Sequence, residues 1–256
     1  MSAPRPPGPS LPGAIGRLII ARERLLLAAV ALVVIDLVSL LPVVVSLDRL
    51  TTFRSVVSNL LGNVDSDGLR TAIDGSTGSG IALAASLIGG SLAGAILRCS
   101  YLQALVVRSG LPRPQRSRVL ALAALNLAGS GALTVAGLRG DSSALPLLVW
   151  IALLVATLYA DLAIALDGLS LPRALARSAS TLRARMRPSV AVIAAALWFQ
   201  LVLTALFGSS LLDEATPLSL TLFVVVVAVG TFVSDCALVT IYRSTPLPGE
   251  DQQTFG

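Results

Sequence analysis

Three aspartates lie inside long apolar stretches of the sequence, where a charged side chain is costly. Asp36, Asp161 and Asp235 are surrounded by Leu, Val, Ala and Ile, and Arg98 lies near the end of another such stretch. A charge at the centre of a membrane costs about 2.5–3.5 kcal/mol on insertion scales, so these residues are expected to face a bundle interior or water. The carboxylates could form a proton or solute pathway. Alternatively, Arg98 and backbone donors could pair with them structurally.

We favour structural pairing for two of the three carboxylates. Asp161 and Asp235 each lie five or six residues from the predicted cytoplasmic end of their apolar stretch, and Arg98 lies near the same end of its own. The three side chains are therefore predicted to meet at a similar depth. Asp36 lies near the middle of its stretch and has no obvious partner.

An acidic segment between the first two apolar stretches loosely fits a calcium loop. Asn63, Asp65, Asp67 and Asp74 occupy positions 1, 3, 5 and 12, with Gly68 at position 6. Position 1 is not Asp, position 12 is not the bidentate Glu, and position 8 is basic where an apolar residue is usual. These departures favour an ordinary acidic turn, and no metal site is predicted.

The residue types that most enzymes need are missing. The chain contains no His, which removes the commonest general base and metal ligand. The sequence also lacks a Walker A motif, and Cys99 and Cys236 have no metal-ligand spacing. We therefore predict a protein that is not an enzyme and has no cofactor.

Composition and segment length indicate how these residues are positioned. Hydrophobic residues make up 55% of the chain and charged residues 13%, and the mean hydropathy is +0.84. An apolar helix of about 20 residues crosses a membrane core of about 30 Å. The sequence predicts an all-α, polytopic transmembrane bundle over 17–243, with six spans at 25–45, 80–101, 119–138, 144–166, 189–210 and 218–241. Residues 1–16 and 244–256 are predicted to be cytoplasmic tails, the first of them disordered because it is rich in Pro.

Orientation follows from the arginines, which supply all 19 basic residues. Six spans place 15 of them on the side of both termini and the remaining four on the other side. Because basic residues concentrate in cytoplasmic loops, both termini are predicted to be cytoplasmic. The same bias accounts for the net charge of +5 without nucleic acid, and it predicts contact with anionic lipid headgroups. The absence of Lys, with abundant Ala, Leu and Val, indicates a GC-rich bacterial genome and hence a bacterial plasma membrane.

The fourth connection is predicted to be an amphipathic helix over about 171–187. Leu171, Leu175, Leu182 and Met186 fall on one helical stripe together with small residues. The basic residues lie mostly on the opposite face: Arg173, Arg177, Arg183, Arg185 and Arg187. This pattern favours a helix lying in the cytoplasmic membrane interface. The alternative is a solvated linker helix.

Several features resemble a known bacterial family. Asp161 to Gly168 leads into the Ala-Leu-Ala-Arg-Ser sequence of 174–178, and the last span ends in Ile-Tyr-Arg at 241–243. With the six-span layout, these features resemble bacterial six-helix membrane proteins related to the membrane domain of glycerophosphodiester phosphodiesterases. Ala179 stands where that family commonly has an aromatic residue. The resemblance implies an architecture over about 15–245. It implies no phosphodiesterase activity, because the soluble catalytic domain has no counterpart in this sequence.

Two functional hypotheses remain open from the sequence. The first is a non-enzymatic scaffold or partner module in a complex of the bacterial cell envelope, which fits the missing catalytic residues and the Arg-rich cytoplasmic connections. The alternative is a transporter or permease subunit that uses the buried carboxylates. The ligand, the partner and the oligomeric state are not predicted.

Overall fold

The computed structural model of the protein describes residues 10–35, 77–107, 111–139, 152–153, 155–213 and 217–245. Within these ranges the regular structure is entirely helical and contains no strand. The protein is therefore all-α over the described residues, as predicted.

Eight helices, numbered here in chain order, carry the described structure. They are α1 (Leu11–Ala21), α2 (26–35), α3 (Thr77–Val106), α4 (Arg116–Arg139), α5 (Ala160–Asp167), α6 (Leu171–Ala184), α7 (Met186–Asp213) and α8 (Pro217–Arg243). A short 3-10 turn at Glu23–Leu25 joins α1 to α2, and further helical residues lie at 152–153 and 155–157. The predicted second, third, fifth and sixth spans each lie inside one helix, namely α3, α4, α7 and α8.

The predicted disordered tail is wrong in its last residues. Helix α1 begins at Leu11, with Pro12 in its first turn, where a missing backbone N–H removes no helical hydrogen bond. Its side chains Leu11, Leu18 and Ile19 pack against the buried core, and the helix contacts α8. The spacing of these apolar residues, rather than the Pro content, determines the structure of this segment.

The predicted fourth span is interrupted near its end. Residues 158 and 159 form a turn, with Tyr159 at φ −116° and ψ 1°, and α5 begins anew at Ala160. No Gly or Pro marks this break in the sequence. The Tyr159 backbone N–H instead donates to Oγ of Ser178, 3.1 Å away on α6, so a contact from another helix stabilises the turn.

Two helices in the described ranges are long and apolar enough to cross a membrane. They contain the segments Met186–Leu203 of α7 and Thr221–Arg243 of α8, which have 18 and 23 residues. Large apolar side chains on both helices are exposed on the protein surface, including Trp198, Leu201 and Leu222.

Most of the largest fully buried side chains lie at one end of the molecule. Tyr101, Leu102 and Leu105 near the end of α3 pack there with Ile164 of α5 and Ile241 of α8. At this end α3 terminates, α4 begins, α8 terminates, and α5 and α6 connect to each other. The candidate functional residues lie within and around this core.

A close contact between α7 and α8 gives a first testable prediction. A Cβ atom on Gly230 would lie 2.4 Å from Cε1 of Phe199, so Gly230→Ala forces the ring to move. We expect a loss of about 1–3 kcal/mol in the free energy of unfolding, as overpacked cores show. Thermal unfolding of the purified protein in detergent measures this loss.

Gly89 of α3 supplies the matched control for this prediction. A Cβ atom on Gly89 would meet nothing within 4 Å, so Gly89→Ala is expected to leave stability unchanged or to raise it, since Ala favours a helix over Gly by about 0.5–1 kcal/mol. Equal effects of the two substitutions would contradict the close contact.

Candidate functional site

Arg98 bridges two aspartates that come from different helices. Its Nη1 and Nη2 donate to the two carboxylate oxygens of Asp235 on α8, at 2.5 and 2.8 Å. Its Nη2 and Nε also donate to Oδ2 of Asp161 on α5, at 2.6 and 3.1 Å. The structure thus brings together the three residues that the sequence placed at a similar depth, and we call this group the Arg98 triad.

The position of Asp161 follows from the break before α5. Asp161 lies in the first turn of the new helix, and its Oδ1 accepts a hydrogen bond from the backbone N–H of Leu162 at 2.8 Å. A carboxylate near a helix N-terminus is favourable, because the helix dipole places partial positive charge there. A continuous helix through 158–159 would not provide this N-terminus next to Arg98.

The geometry of the Arg98 triad favours a structural link. The side chain of Asp235 is only 5% exposed, and those of Arg98 and Asp161 are each 20% exposed. Bidentate pairs of guanidinium and carboxylate groups are among the strongest hydrogen-bonded contacts in proteins. Both carboxylates are held by the same cation, so the triad joins α3, α5 and α8.

Tyr101 lies beside the triad. The Arg98 guanidinium carbon is 5.7 Å from the centre of the Tyr101 ring, a cation–π distance. The Tyr101 hydroxyl is buried near the Asp235 carboxylate. Its contacts with the other described residues do not have both the distance and the angle of a hydrogen bond.

The five arginines predicted for one amphipathic helix occupy three different environments. Arg177 is buried, and its Nη2 donates to the Thr245 carbonyl at 3.1 Å. Arg185 follows the end of α6 and donates to the Ser244 carbonyl. The other three are exposed: Arg173 and Arg183 on α6, and Arg187 in the first turn of α7.

Helix α6 packs against the other helices through a face that includes one arginine of its predicted basic side. Its buried stripe consists of Ala174, Arg177, Ser178 and Thr181, whereas Leu175 is exposed. Small side chains allow α6 to approach the other helices closely, and this approach buries Arg177 with them. The predicted helix over 171–187 ends at Ala184, and Met186 already belongs to α7.

A pair of stacked tyrosines that was not predicted from the sequence lies next to Arg177. The Arg177 guanidinium carbon lies 5.4 Å from the centre of the Tyr242 ring, and that ring stacks on Tyr159 at 6.1 Å. The Tyr159 hydroxyl shares a 2.7 Å hydrogen bond with Oγ of Ser189, and the Tyr242 hydroxyl donates to Asp167. Aromatic residues make up only 4% of the chain. Their scarcity, together with their positions next to polar residues, was the sequence signal that could have located this pair.

The end of α5 is capped by side chains from two other helices. Nη1 of Arg118 donates to the carbonyls of Ala165 and Leu166 at 2.6 and 3.1 Å, and Nε2 of Gln103 donates to Ala165 at 2.9 Å. Gly168 ends the helix in the left-handed conformation at φ 70°, where a Cβ would lie 3.2 Å from the Arg118 guanidinium. Both features explain why this position holds Gly.

The remaining predicted site residues are not described. Asp36 and the calcium-loop candidates Asn63, Asp65, Asp67 and Asp74 lie outside the described residues. Within the ranges that the structure does describe, no group of three or more Cys, Asp or Glu side chains is arranged to hold a metal ion.

Comparison with known proteins does not assign the chain to a family. No family model, curated protein or solved structure matches it.

Proposed function

We propose that the chain is a six-span protein of the bacterial plasma membrane with both termini in the cytoplasm. Its role would be non-enzymatic, as a scaffold or partner module of an envelope complex. The resemblance to the membrane domain of glycerophosphodiester phosphodiesterases belongs to this proposal and concerns the architecture only.

The exposed apolar side chains support the membrane location. Trp198 and Leu201 of α7 are 69% and 64% exposed, and Leu218 of α8 is 78% exposed. Such surfaces are rare on soluble monomers and are typical of helices that face lipid. Helices α3 and α4, with 30 and 24 residues, have the length that a span needs, whereas α7 and α8 alone meet both the length and the apolar requirement over the described residues.

The single observation that carries the non-enzymatic role is the pairing of both carboxylates, Asp161 and Asp235, with Arg98. A carboxylate that relays protons or binds a transported cation must exchange its partner during the cycle. In the Arg98 triad, Asp161 and Asp235 share one cation through four hydrogen bonds, an arrangement suited to holding helices together. If the chain is instead a transporter, a double variant with Asp161→Asn and Asp235→Asn is expected to lose solute movement and to keep normal membrane insertion.

Cysteine labelling tests the proposed topology. Cys99 and Cys236 are buried, so a background with both replaced by Ala removes native thiols with a small change in side-chain volume. Into this background we would introduce Arg173→Cys, predicted to be cytoplasmic, or Ser142→Cys, predicted to lie in an outer connection. In spheroplasts, a membrane-impermeant maleimide is expected to label the Ser142→Cys protein at once and the Arg173→Cys protein only after permeabilisation. Immediate labelling of the Arg173→Cys protein would contradict the topology.

Mild detergent purification at native expression tests the role itself. We expect a membrane or envelope protein to co-purify in a stoichiometric amount and to be identified by mass spectrometry. The identity of this partner would indicate the biological process in which the chain takes part. Purified protein that by itself moves a solute or turns over a lipid would contradict the non-enzymatic role.

A further inference from the structure

A cavity opens where the ends of α3, α4, α5 and α8 meet the middle of α6, next to the buried core. Its volume is about 500 Å³. Its described lining consists of Gln103, Val106, Val107, Pro112, Arg118, Leu166, Asp167, Arg177, Tyr242, Arg243 and Thr245. We call it the arginine pocket. Arg177, Tyr242 and Thr245 are buried within it, whereas Asp167 and Arg243 are exposed at its rim.

The charge of this pocket suits an anion. Three arginines, Arg118, Arg177 and Arg243, line it against one acidic residue, Asp167. Arg118 and Arg177 also donate hydrogen bonds to backbone carbonyls. The Asp167 carboxylate already accepts a hydrogen bond from the Tyr242 hydroxyl. Arginine presents planar, divergent donors that match the oxygens of a phosphate group, which makes phosphate the anion that this set of side chains fits best.

Part of the pocket lining is apolar. Val106, Val107, Pro112 and Leu166 contribute to it together with the arginines. A combination of apolar and cationic surface matches a phosphate ester better than a free inorganic ion, because the ester carries a carbon skeleton beside its charge.

We propose that the arginine pocket binds a phosphate group, which an anionic phospholipid headgroup would present at the cytoplasmic face of the membrane. The source of that phosphate rests on the proposed function, since a lipid headgroup reaches the pocket only if this end of the bundle lies at the membrane interface. The choice of a phosphate group as the ligand depends only on the residues that line the pocket.

Native mass spectrometry of the full-length protein in detergent tests the site. Phosphatidylglycerol is titrated into the wild type, Arg243→Gln and Arg173→Gln, with zwitterionic phosphatidylcholine as the comparison lipid. Arg243→Gln removes a pocket charge, and it is expected to weaken phosphatidylglycerol binding about two- to fivefold, as the loss of one exposed charged contact would. Arg173→Gln removes an exposed charge outside the pocket lining and is expected to bind like the wild type.

Asp167→Asn gives a result of opposite sign, which damage to the fold would not produce. It removes the negative charge from the rim and keeps an oxygen that can accept from Tyr242, so phosphatidylglycerol binding is expected to tighten about two- to fivefold. Thermal unfolding of each variant reports whether the fold is intact. Weaker binding by Asp167→Asn with an unchanged melting temperature would overturn the proposal.

Inorganic phosphate separates the two sources of the ligand. A lipid site predicts that millimolar phosphate displaces phosphatidylglycerol poorly, whereas efficient displacement would support the same pocket with a free phosphate ligand. Equal binding of the two lipids, or equal effects of Arg243→Gln and Arg173→Gln, would overturn the site. The cysteine-labelling assay involves no phosphate. If the phosphatidylglycerol binding test fails while the labelling pattern is as expected, this inference is contradicted and the proposed topology is not. Turnover of phosphatidylglycerol would contradict only the non-enzymatic role.

Discussion

Replacing Arg98 with Met is expected to destabilise the protein by about 3–5 kcal/mol, because it leaves the buried Asp235 carboxylate and the partly exposed Asp161 carboxylate without their cation. Asp235 is the more critical partner, since its side chain is 5% exposed and Arg98 holds both of its oxygens. The measurement is the thermal unfolding and the monodisperse fraction of the protein purified in detergent. Arg183→Met makes the same change at an exposed position of α6, and it is expected to cost less than about 1 kcal/mol.

A triple variant separates charge from packing in this prediction. Combining Arg98→Met with Asp161→Asn and Asp235→Asn removes all three charges, and buried ion groups replaced as a set are often close to neutral in stability. We therefore expect the triple variant to recover most of the lost stability. A triple variant as unstable as Arg98→Met would show that the Arg98 side chain matters for its shape and not for its charge. A fully stable Arg98→Met protein would contradict the structural role of the triad.

The positions of the long helices could be predicted because each one is an uninterrupted apolar stretch. The stretches at 80–101, 119–138, 189–210 and 218–241 all lie inside single helices. The break at 158–159 could not be predicted in this way. Its stabilising contact comes from Ser178 on α6, and a contact between distant residues leaves no local signal such as Gly or Pro.

The meeting of Arg98, Asp161 and Asp235 could also be anticipated from the sequence. In a bundle of parallel and antiparallel helices, the distance of a residue from the end of its segment gives its depth in the bundle. Charged residues at the same depth pair with each other, because an unpaired charge inside a membrane is costly. The sequence could not show which oxygens pair. That detail depends on the helix break, which places Asp161 in the first turn of α5.

The face of α6 that packs against the other helices could not be predicted from hydrophobicity, because hydrophobicity does not distinguish core from surface next to lipid. Leu175 and Met186 are exposed, whereas the smaller Ala174, Ser178 and Thr181 are fully buried. Contacts between membrane helices select small residues that permit close approach. The spacing of those three residues by four and three positions was the signal that could have located the face on which Arg177 lies.

Arg177→Gln is expected to lower the free energy of unfolding by about 2–3 kcal/mol, since hydrogen bonds to charged groups contribute about 1.5–3 kcal/mol each. The substitution removes the bond from Nη2 to the Thr245 carbonyl and the cation–π contact with Tyr242. Thermal unfolding in detergent measures the loss. Hydrogen exchange is expected to rise at the end of α8 and along α6, because both segments depend on this contact.

Arg173→Gln is the matched control, and the pair distinguishes two ways of holding α6. Arg173 is exposed, so its replacement is expected to change stability by less than about 0.5 kcal/mol. A helix that only lay on the membrane surface, as its sequence pattern indicates, would respond to either substitution alike, since each removes one charge from the same basic face. A helix attached to the bundle through Arg177 responds to Arg177→Gln alone. Equal, small effects of the two substitutions would therefore contradict the buried contact and favour the surface-lying helix.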